Sequence, residues 1–245
     1  MHSSVLAPAE AHSRGLVSII LPTYNERENV LETISAVLQA VPNPVEVIVV
    51  DDDSPDETWK IVGELNDPRL KVVRRKGIRG LASAINRGII ESRGELVGWM
   101  DVDLSMPPKL LAEMIPRTIQ YPVVIGSRYV EGGSDARPRL RVLTSRWVNG
   151  LASAVLGGGV KDYDSGFIVM RREVFDQVTL VPSGYGAYFI DFIYRCRKSG
   201  LKVLELPYTL VDRTKGTSKS MPSLWQFFRQ GLGYVATILL ARLRP

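Results

Sequence analysis

"ELVGWMDVDLSMPP", residues 95–108, decides how the rest of the chain is read. An apolar run, Leu96 to Met100, delivers the backbone to two aspartates, Asp101 and Asp103, and Pro107 and Pro108 then stop it. On an extended backbone residues i and i+2 share a face, so both carboxylates can turn toward one ligand. Two anions that close repel unless a cation sits between them. A hard divalent ion, Mg2+ or Mn2+, is the natural partner, because it takes oxygen ligands and commonly joins one or two carboxylates to substrate phosphates. The alternative is a solvated turn whose aspartates cap a helix.

Outward from that stretch, "VSIILPT" (17–23), "VEVIVVDDD" (45–53), "LKVVRR" (70–75) and "YPVVIGSR" (121–128) also read as strands. Their near-continuous apolar character suits a parallel sheet covered on both faces. Residues 27–41, 56–65, 81–92 and 108–120 show helical spacing, with Asp56 placed to cap the second of these. Repeated βα units imply right-handed crossovers and a doubly wound, mostly parallel α/β sheet. Ligands of such sheets bind beyond the carboxyl ends of the strands. "TYNERE", "DDDSPD", "DVD" and "SRY" all fall there.

The second half is less regular. Residues 129–146 form a Gly- and Arg-rich connection carrying Arg137, Arg139, Arg141 and Arg146, followed by a helix over 140–156 that ends at three glycines. "DYDSGFIVM" leads into a short strand, "GYGAYFIDFIYRCRKSG" is a helix entered and left through glycine, and "LKVLELPYTLVD" is one bent strand or two. No repeat or linker divides the chain. We expect a tail over 1–15, one catalytic domain over 16–220 and an amphipathic helix over 221–245.

The 245 residues carry 31 Lys plus Arg against 26 Asp plus Glu, so the surface leans basic and favours an anionic partner such as a nucleotide or a phospholipid surface. Sparse aromatics among the basic clusters argue against nucleic acid. A single cysteine, Cys196, excludes an internal disulfide and a cysteine-built metal site, and the two histidines lie in the tail, which excludes a Ser-His-Asp or Cys-His nucleophile. The tail lacks the apolar core of a signal peptide, and no apolar run is long enough to span a bilayer. "DRTKGTSKS" (212–220) combines Arg213, Lys215 and Lys219 with small residues, and such a loop can hold phosphate oxygens. "RGLASA" (79–84) starts a helix whose exposed N–H groups suit a diphosphate, or simply packs closely on the sheet.

Taken together and in this order, "LPTYNERENV", "VVDDDSPDET", "DVDLSMPP", "GSRYVEGG", "DYDSGF" and "VDRTKGTSK" resemble the family-2 glycosyltransferases of GT-A fold, and more narrowly the dolichol-phosphate mannose synthases and related polyprenyl-phosphate glycosyltransferases. The resemblance implies that Pro22, Tyr24, Glu26, Val50 and Asp52 line the nucleoside pocket. It implies that Asp101, Val102 and Asp103 hold metal and donor diphosphate, with Ser105 near the metal. Arg128, Arg213 and Lys219 would contact phosphates, and Arg139 or Arg141, with Ser165, would meet the acceptor phosphate. The implied reaction moves mannose from GDP-mannose to a polyprenyl phosphate with inversion, the alternative donor being UDP-glucose or another UDP-sugar. A non-catalytic nucleotide-binding module is the remaining reading. The chain departs from the family pattern D-P-M-S-G-F at Tyr163 and Asp164, from G-L-G at Ala82, and from a helix glutamate at Asp191.

The acceptor implied lives in a bilayer. "SLWQFFRQGLGYVATILLARLRP" supplies a route: Leu224, Phe227, Phe228, Leu232, Val235, Leu239 and Leu243 recur at helical spacing, Trp225 and Tyr234 favour an interface, and Arg229, Arg242 and Arg244 suit anionic headgroups. A terminal helix packed on its own sheet is the alternative. Peripheral attachment at the cytoplasmic face of a membrane, with or without a membrane-protein partner, is the localisation this implies.

Overall fold

The alternation of apolar strands with helices builds a three-layer α/β domain. The computed structural model describes residues 15–182, 186–213 and 224–243, with side chains of the last segment described from Gly231 onward, Leu232 apart. Four parallel strands, β1 (Val17–Thr23), β2 (Val45–Asp51), β3 (Leu70–Arg74) and β4 (Leu96–Trp99), alternate with α1 (Val30–Ala40), α2 (Thr58–Gly63) and α3 (Leu81–Glu91). Then come α4 (Leu111–Arg117), β5 (Val123–Ser127), β6 (Ser134–Asp135), α5 (Arg139–Leu156), β7 (Ile168–Arg171), α6 (Ala187–Lys198), β8 (Val203–Pro207), β9 (Thr209–Leu210) and α7 (Leu224–Leu243). The main sheet has the order β3-β2-β1-β4-β7-β5-β8, and β6 pairs with β9 beside it.

The central strands are buried almost throughout, as a sheet covered on both faces requires, and their side chains alternate between two layers. Ile20, Ile48, Val50 and Trp99 face one layer with α3, α5, α6 and α7, while Ile19, Leu21, Val47 and Val49 face the other with α1 and α4. The expected helix over 108–120 is a 3-10 turn, Pro108–Leu110, followed by the shorter α4, and the helix expected over 56–65 shrinks to α2. Asp56 does accept the amide of Thr58 at its start, at 3.0 Å.

One strand breaks the parallel pattern, and it matters for the site. β7 runs antiparallel between β4 and β5, with Ile168 opposite both Trp99 and Ile125. β5 and β8 are parallel to each other. The carboxyl ends of β1, β2, β4, β5 and β8 therefore share one edge with the amino end of β7. "DYDSGF", which precedes β7, arrives where the other polar clusters leave.

Two glycines permit close approach, one between helix and sheet and one between paired strands. A Cβ on Gly88 in α3 would lie 2.4 Å from Ile20, and one on Gly98 in β4 would lie 2.6 Å from the backbone oxygen of Ile168. Backbone cannot give way as a side-chain end can. Gly98→Ala should destabilise the fold by about 1–3 kcal/mol through overpacking. Gly150→Ala, in open space within α5, should instead stabilise it by roughly 0.5–1 kcal/mol through helix propensity. Urea denaturation of the two variants beside the parent measures both.

Candidate active site

Beyond the shared strand edge lies a cleft of about 450 Å³, a size suited to a small ligand. Its construction begins with aspartates that serve the backbone. Asp51, fully buried, accepts Thr23 Oγ1 at 2.8 Å and the amide and hydroxyl of Ser54 at 2.8 and 2.6 Å. It ties the ends of β1 and β2 together. Asp52 takes Arg75 Nε at 2.7 Å on one oxygen and the amide of Gly80 at 2.7 Å on the other. Arg75 also donates to the carbonyl of Gly80 and to Ser83 Oγ, both at 3.0 Å. Asp52 thus lines the cleft with both oxygens engaged, closing the 75–80 loop against the start of α3.

The segment after β4 is held from below, with Thr33 Oγ1 of α1 donating to the carbonyl of Val102 at 2.7 Å. Leu104 adopts φ +57, a left-handed conformation that costs an ordinary side chain about 1–2 kcal/mol. The turn folds Ser105 back so that its amide donates to Asp103 Oδ1 at 3.1 Å. The other Asp103 oxygen accepts Arg213 at 2.7 Å, and the same guanidinium lies 3.6 Å from Glu26. Asp101 keeps contact with solvent through the cleft, yet its carboxyl is lifted from 3.8 to about 7. Enclosure by the cleft walls is the main cause, and the charges of Asp103, Glu26 and Asp164 add to it against Arg213.

Such crowding fits a cation. Among the described residues no three His, Cys, Asp or Glu side chains are grouped so that they could hold one ion together. An ion at Asp101 and Asp103, beside the Ser105 hydroxyl, would therefore draw its remaining ligands from water or from a bound phosphate, as Mg2+ and Mn2+ commonly do.

The far wall is basic. Arg128, only 3% exposed, lies at the end of β5. Its Nε donates to Asp162 at 2.8 Å, a terminal nitrogen donates to the other Asp162 oxygen at 2.6 Å, and that nitrogen also reaches the carbonyl of Asp164 at 3.1 Å. Burial works against its charge, and Asp162 more than offsets it, holding Arg128 protonated. Arg137 pairs with Asp135 at 2.6 Å and Arg141 with Asp212 at 3.3 Å. At the opposite end the Arg79 guanidinium lies over the Tyr24 ring, 3.4 Å from its centroid.

The expected site residues thus divide. Pro22, Tyr24, Glu26 and Asp52 line the cleft, as do Asp101, Val102, Asp103 and Ser105, and Arg128, Arg141, Ser165 and Arg213 complete the set. Val50 does not reach it. The side chain is fully buried in the core on the α3 side of the sheet, because its place in β2 points it away from the edge. Arg139 is exposed at the first position of α5 and lies outside the cleft, while Arg137 and Arg141 on either side of it are within. Lys215 and Lys219 fall outside the described residues. The structure adds Arg79, Asp164 and Tyr234. Asp164 was visible in the sequence as an added acid, whereas Tyr234 carried only the signal of an interfacial aromatic.

The sequence of residues 18–179 matches the model of glycosyl transferase family 2. The chain belongs to that family. Among relatives of this family 2 member, a dolichol-phosphate mannosyltransferase from Pyrococcus furiosus is 39% identical over 213 residues, which is 83% of this chain and 58% of the relative. The chain thus spans little more than half the length of that relative. A polyprenol monophosphomannose synthase from Mycolicibacterium smegmatis is 34% identical over 222 residues, 86% of this chain and 83% of that protein. The crystal structure of glucosyl-3-phosphoglycerate synthase from Mycobacterium tuberculosis, in complex with Mn2+, UDP and glucosyl-3-phosphoglycerate, superimposes with a TM-score of 0.72 at 18% identity. It covers 94% of this chain and 81% of that one. The single GT-A-like α/β domain expected from the family resemblance is the fold found.

Two outcomes follow from the charges. Asp162→Asn should cost about 1.5–3 kcal/mol of stability, because it removes the charged hydrogen-bond partner of buried Arg128 and leaves it only the longer ion-pair contacts to Asp135 and Asp164 at 3.8 and 3.9 Å, and chemical denaturation reads this. Asp101, raised from 3.8 to about 7, retains in the folded protein a proton that the unfolded chain has lost. Metal-free protein should therefore lose stability as pH rises from about 4 to about 7, and Asp101→Asn should flatten that decline in urea midpoints measured across the range.

Proposed function

We propose that the chain transfers mannose from GDP-mannose to a polyprenyl phosphate at a membrane surface, forming a β-linked product by inversion. One juxtaposition carries this reading. A cleft with a carboxylate pair at its floor and arginines on its far wall is walled in part by the start of α5 and by α7, and both helices present apolar faces outward. Leu140, Leu143 and Trp147 share one face of α5 and are each about three-fifths exposed, with Arg139 and Arg146 exposed beside them. On α7, Ile238 and Ala241 are buried against the domain while Leu239, Leu240 and Leu243 are exposed. Apolar side chains bordered by arginine and accompanied by tryptophan suit the boundary of an anionic bilayer. Among the described residues no helix is long and apolar enough to cross one. The names of the Pyrococcus and Mycolicibacterium relatives support the same acceptor class.

The chemistry needs little from the protein beyond placement. A phosphomonoester loses its second proton near pKa 6, so at pH 7 the acceptor is mostly a dianion and a nucleophile without a general base. Its approach to an anionic donor is opposed by charge. Arg141 and Arg137, partly exposed and paired among the described residues with Asp212 and Asp135, can turn to an incoming phosphate and set its oxygen in line with the anomeric carbon. Arg213 is placed to follow the donor diphosphate. Arg128, committed to Asp162, contributes through its fixed field and by shaping the wall. Mg2+ or Mn2+ at Asp101 and Asp103, when bound, neutralises charge on the departing nucleoside diphosphate.

The test is incubation with radiolabelled GDP-mannose, Mg2+ or Mn2+ and a short polyprenyl phosphate, followed by organic extraction. Label should pass into the organic phase, and Asp103→Asn should lower the rate by about 100-fold or more. Label that stays in water, or a product formed only from a UDP-sugar, overturns the mannose reading.

A further inference from the structure

The two acids before β7 have different neighbours. Asp162 is fully buried and both its oxygens are held by Arg128. Asp164 reaches the cleft with its side chain about one-fifth exposed. Tyr234 Oη of α7 donates to its Oδ1 at 3.0 Å. Its Oδ2 lies 3.9 Å from Arg128, beyond hydrogen-bond distance, and accepts no hydrogen bond among the described residues. Arg128 cannot close that gap, because the same nitrogen already serves Asp162 and the carbonyl of Asp164.

The contact from α7 is built into the chain. Gly186 lines the cleft with φ +64, and a Cβ there would lie 1.9 Å from the Tyr234 oxygen. Any other residue at 186 would force the phenol oxygen to shift. A side chain from the terminal helix is thus admitted to the cleft, where it fixes one carboxylate.

We infer that Asp164 reads the transferred hexose by accepting hydrogen bonds from its hydroxyl groups, and that Tyr234 is the positioning residue that aims it. The open oxygen of Asp164 is an acceptor facing the cleft, and a hydroxyl donor suits it. A hexose is rich in such donors. In the reading above it lies between a diphosphate at Asp101 and Asp103 and an acceptor phosphate at Arg137 and Arg141, in the cleft that Asp164 shares with them. The inference rests on that reading, and it makes the seating of α7 part of sugar recognition.

Titration calorimetry with Mn2+ present separates the two. The parent protein should bind both GDP and GDP-mannose. Asp164→Ala should leave GDP affinity within about twofold and weaken GDP-mannose by about tenfold or more, because a site built for a hydroxyl loses most when its acceptor is gone. Asp164→Asn, which keeps one acceptor oxygen, should recover part of that loss. In turnover, Tyr234→Phe should raise KM for GDP-mannose about three- to fivefold with little change in kcat, and should narrow the preference for GDP-mannose over GDP-glucose. Equal weakening of GDP and GDP-mannose by Asp164→Ala marks a structural role and overturns the inference, as does no weakening of either. If the parent binds UDP-hexose instead, the same comparison with UDP decides Asp164 while the mannose reading falls. If it binds no nucleotide sugar, both fall.

Discussion

Crowded carboxylates are the constraint on which the rest of this molecule depends. Glu26, Asp52, Asp101, Asp103 and Asp164 converge on one cleft at the sheet edge, and each must find positive charge or raise its pKa. The chain meets most of this need internally, with two kinds of arginine. Arg75 and Arg128 are buried and hold Asp52 and Asp162 permanently. Arg137, Arg141 and Arg213 are partly exposed and hold Asp135, Asp212 and Asp103 in pairs that a ligand could exchange. Asp101 has no hydrogen-bonded arginine among the described residues, and its carboxyl is raised to about 7. A divalent ion and a diphosphate together would satisfy both sides of the exchange, the ion replacing Arg213 at Asp103 while Arg213 follows the phosphate.

The sheet makes this convergence possible through one reversal. Parallel strands alone would deliver to this edge only the residues that follow each strand. Antiparallel β7 delivers the residues that precede it, so Asp162 and Asp164 arrive opposite Asp101 and Asp103. Gly98 permits the pairing, since a side chain there would strike the β7 backbone. The geometry of acids against basic wall thus depends on a single small residue in β4.

Much of the fold was legible because its signals are local. Apolar runs of strand length, helical spacing between them and polar clusters at their ends place the first four strands, with α1 to α3 between them. What was not legible is set by tertiary contact. Nothing in "FIVM" distinguishes a parallel strand from an antiparallel one, and the two-residue strand β6 is too short to leave a pattern, whereas "LKVLELPYTLVD", read as one bent strand or two, is two, β8 and β9. The site divides the same way. Residue type and motif order brought Asp101, Asp103, Tyr24 and Arg213 to the cleft. Motif order could not reveal that β2 turns Val50 into the core, that Arg128 is consumed by Asp162, or that Arg139 points outside while its neighbours two residues away point in.

Tyr234 shows how far a sequence pattern reaches. Its place among leucines and a tryptophan reads as an interfacial aromatic, and the exposed Leu239, Leu240 and Leu243 nearby agree with an apolar outer face. But a helix turns through 100° per residue, so one residue in a mostly apolar helix can look inward while its neighbours look out. Burial of Ile238 and Ala241 fixes which side faces the domain, and Tyr234, one turn before Ile238, is carried to the same side. With its ring among apolar groups and its hydroxyl on Asp164, it satisfies both halves of an amphipathic side chain. The described part of the helix therefore has two unlike faces, since Tyr234, Ile238 and Ala241 turn toward the domain and Tyr234 completes the cleft wall, while Leu239, Leu240 and Leu243 stay exposed.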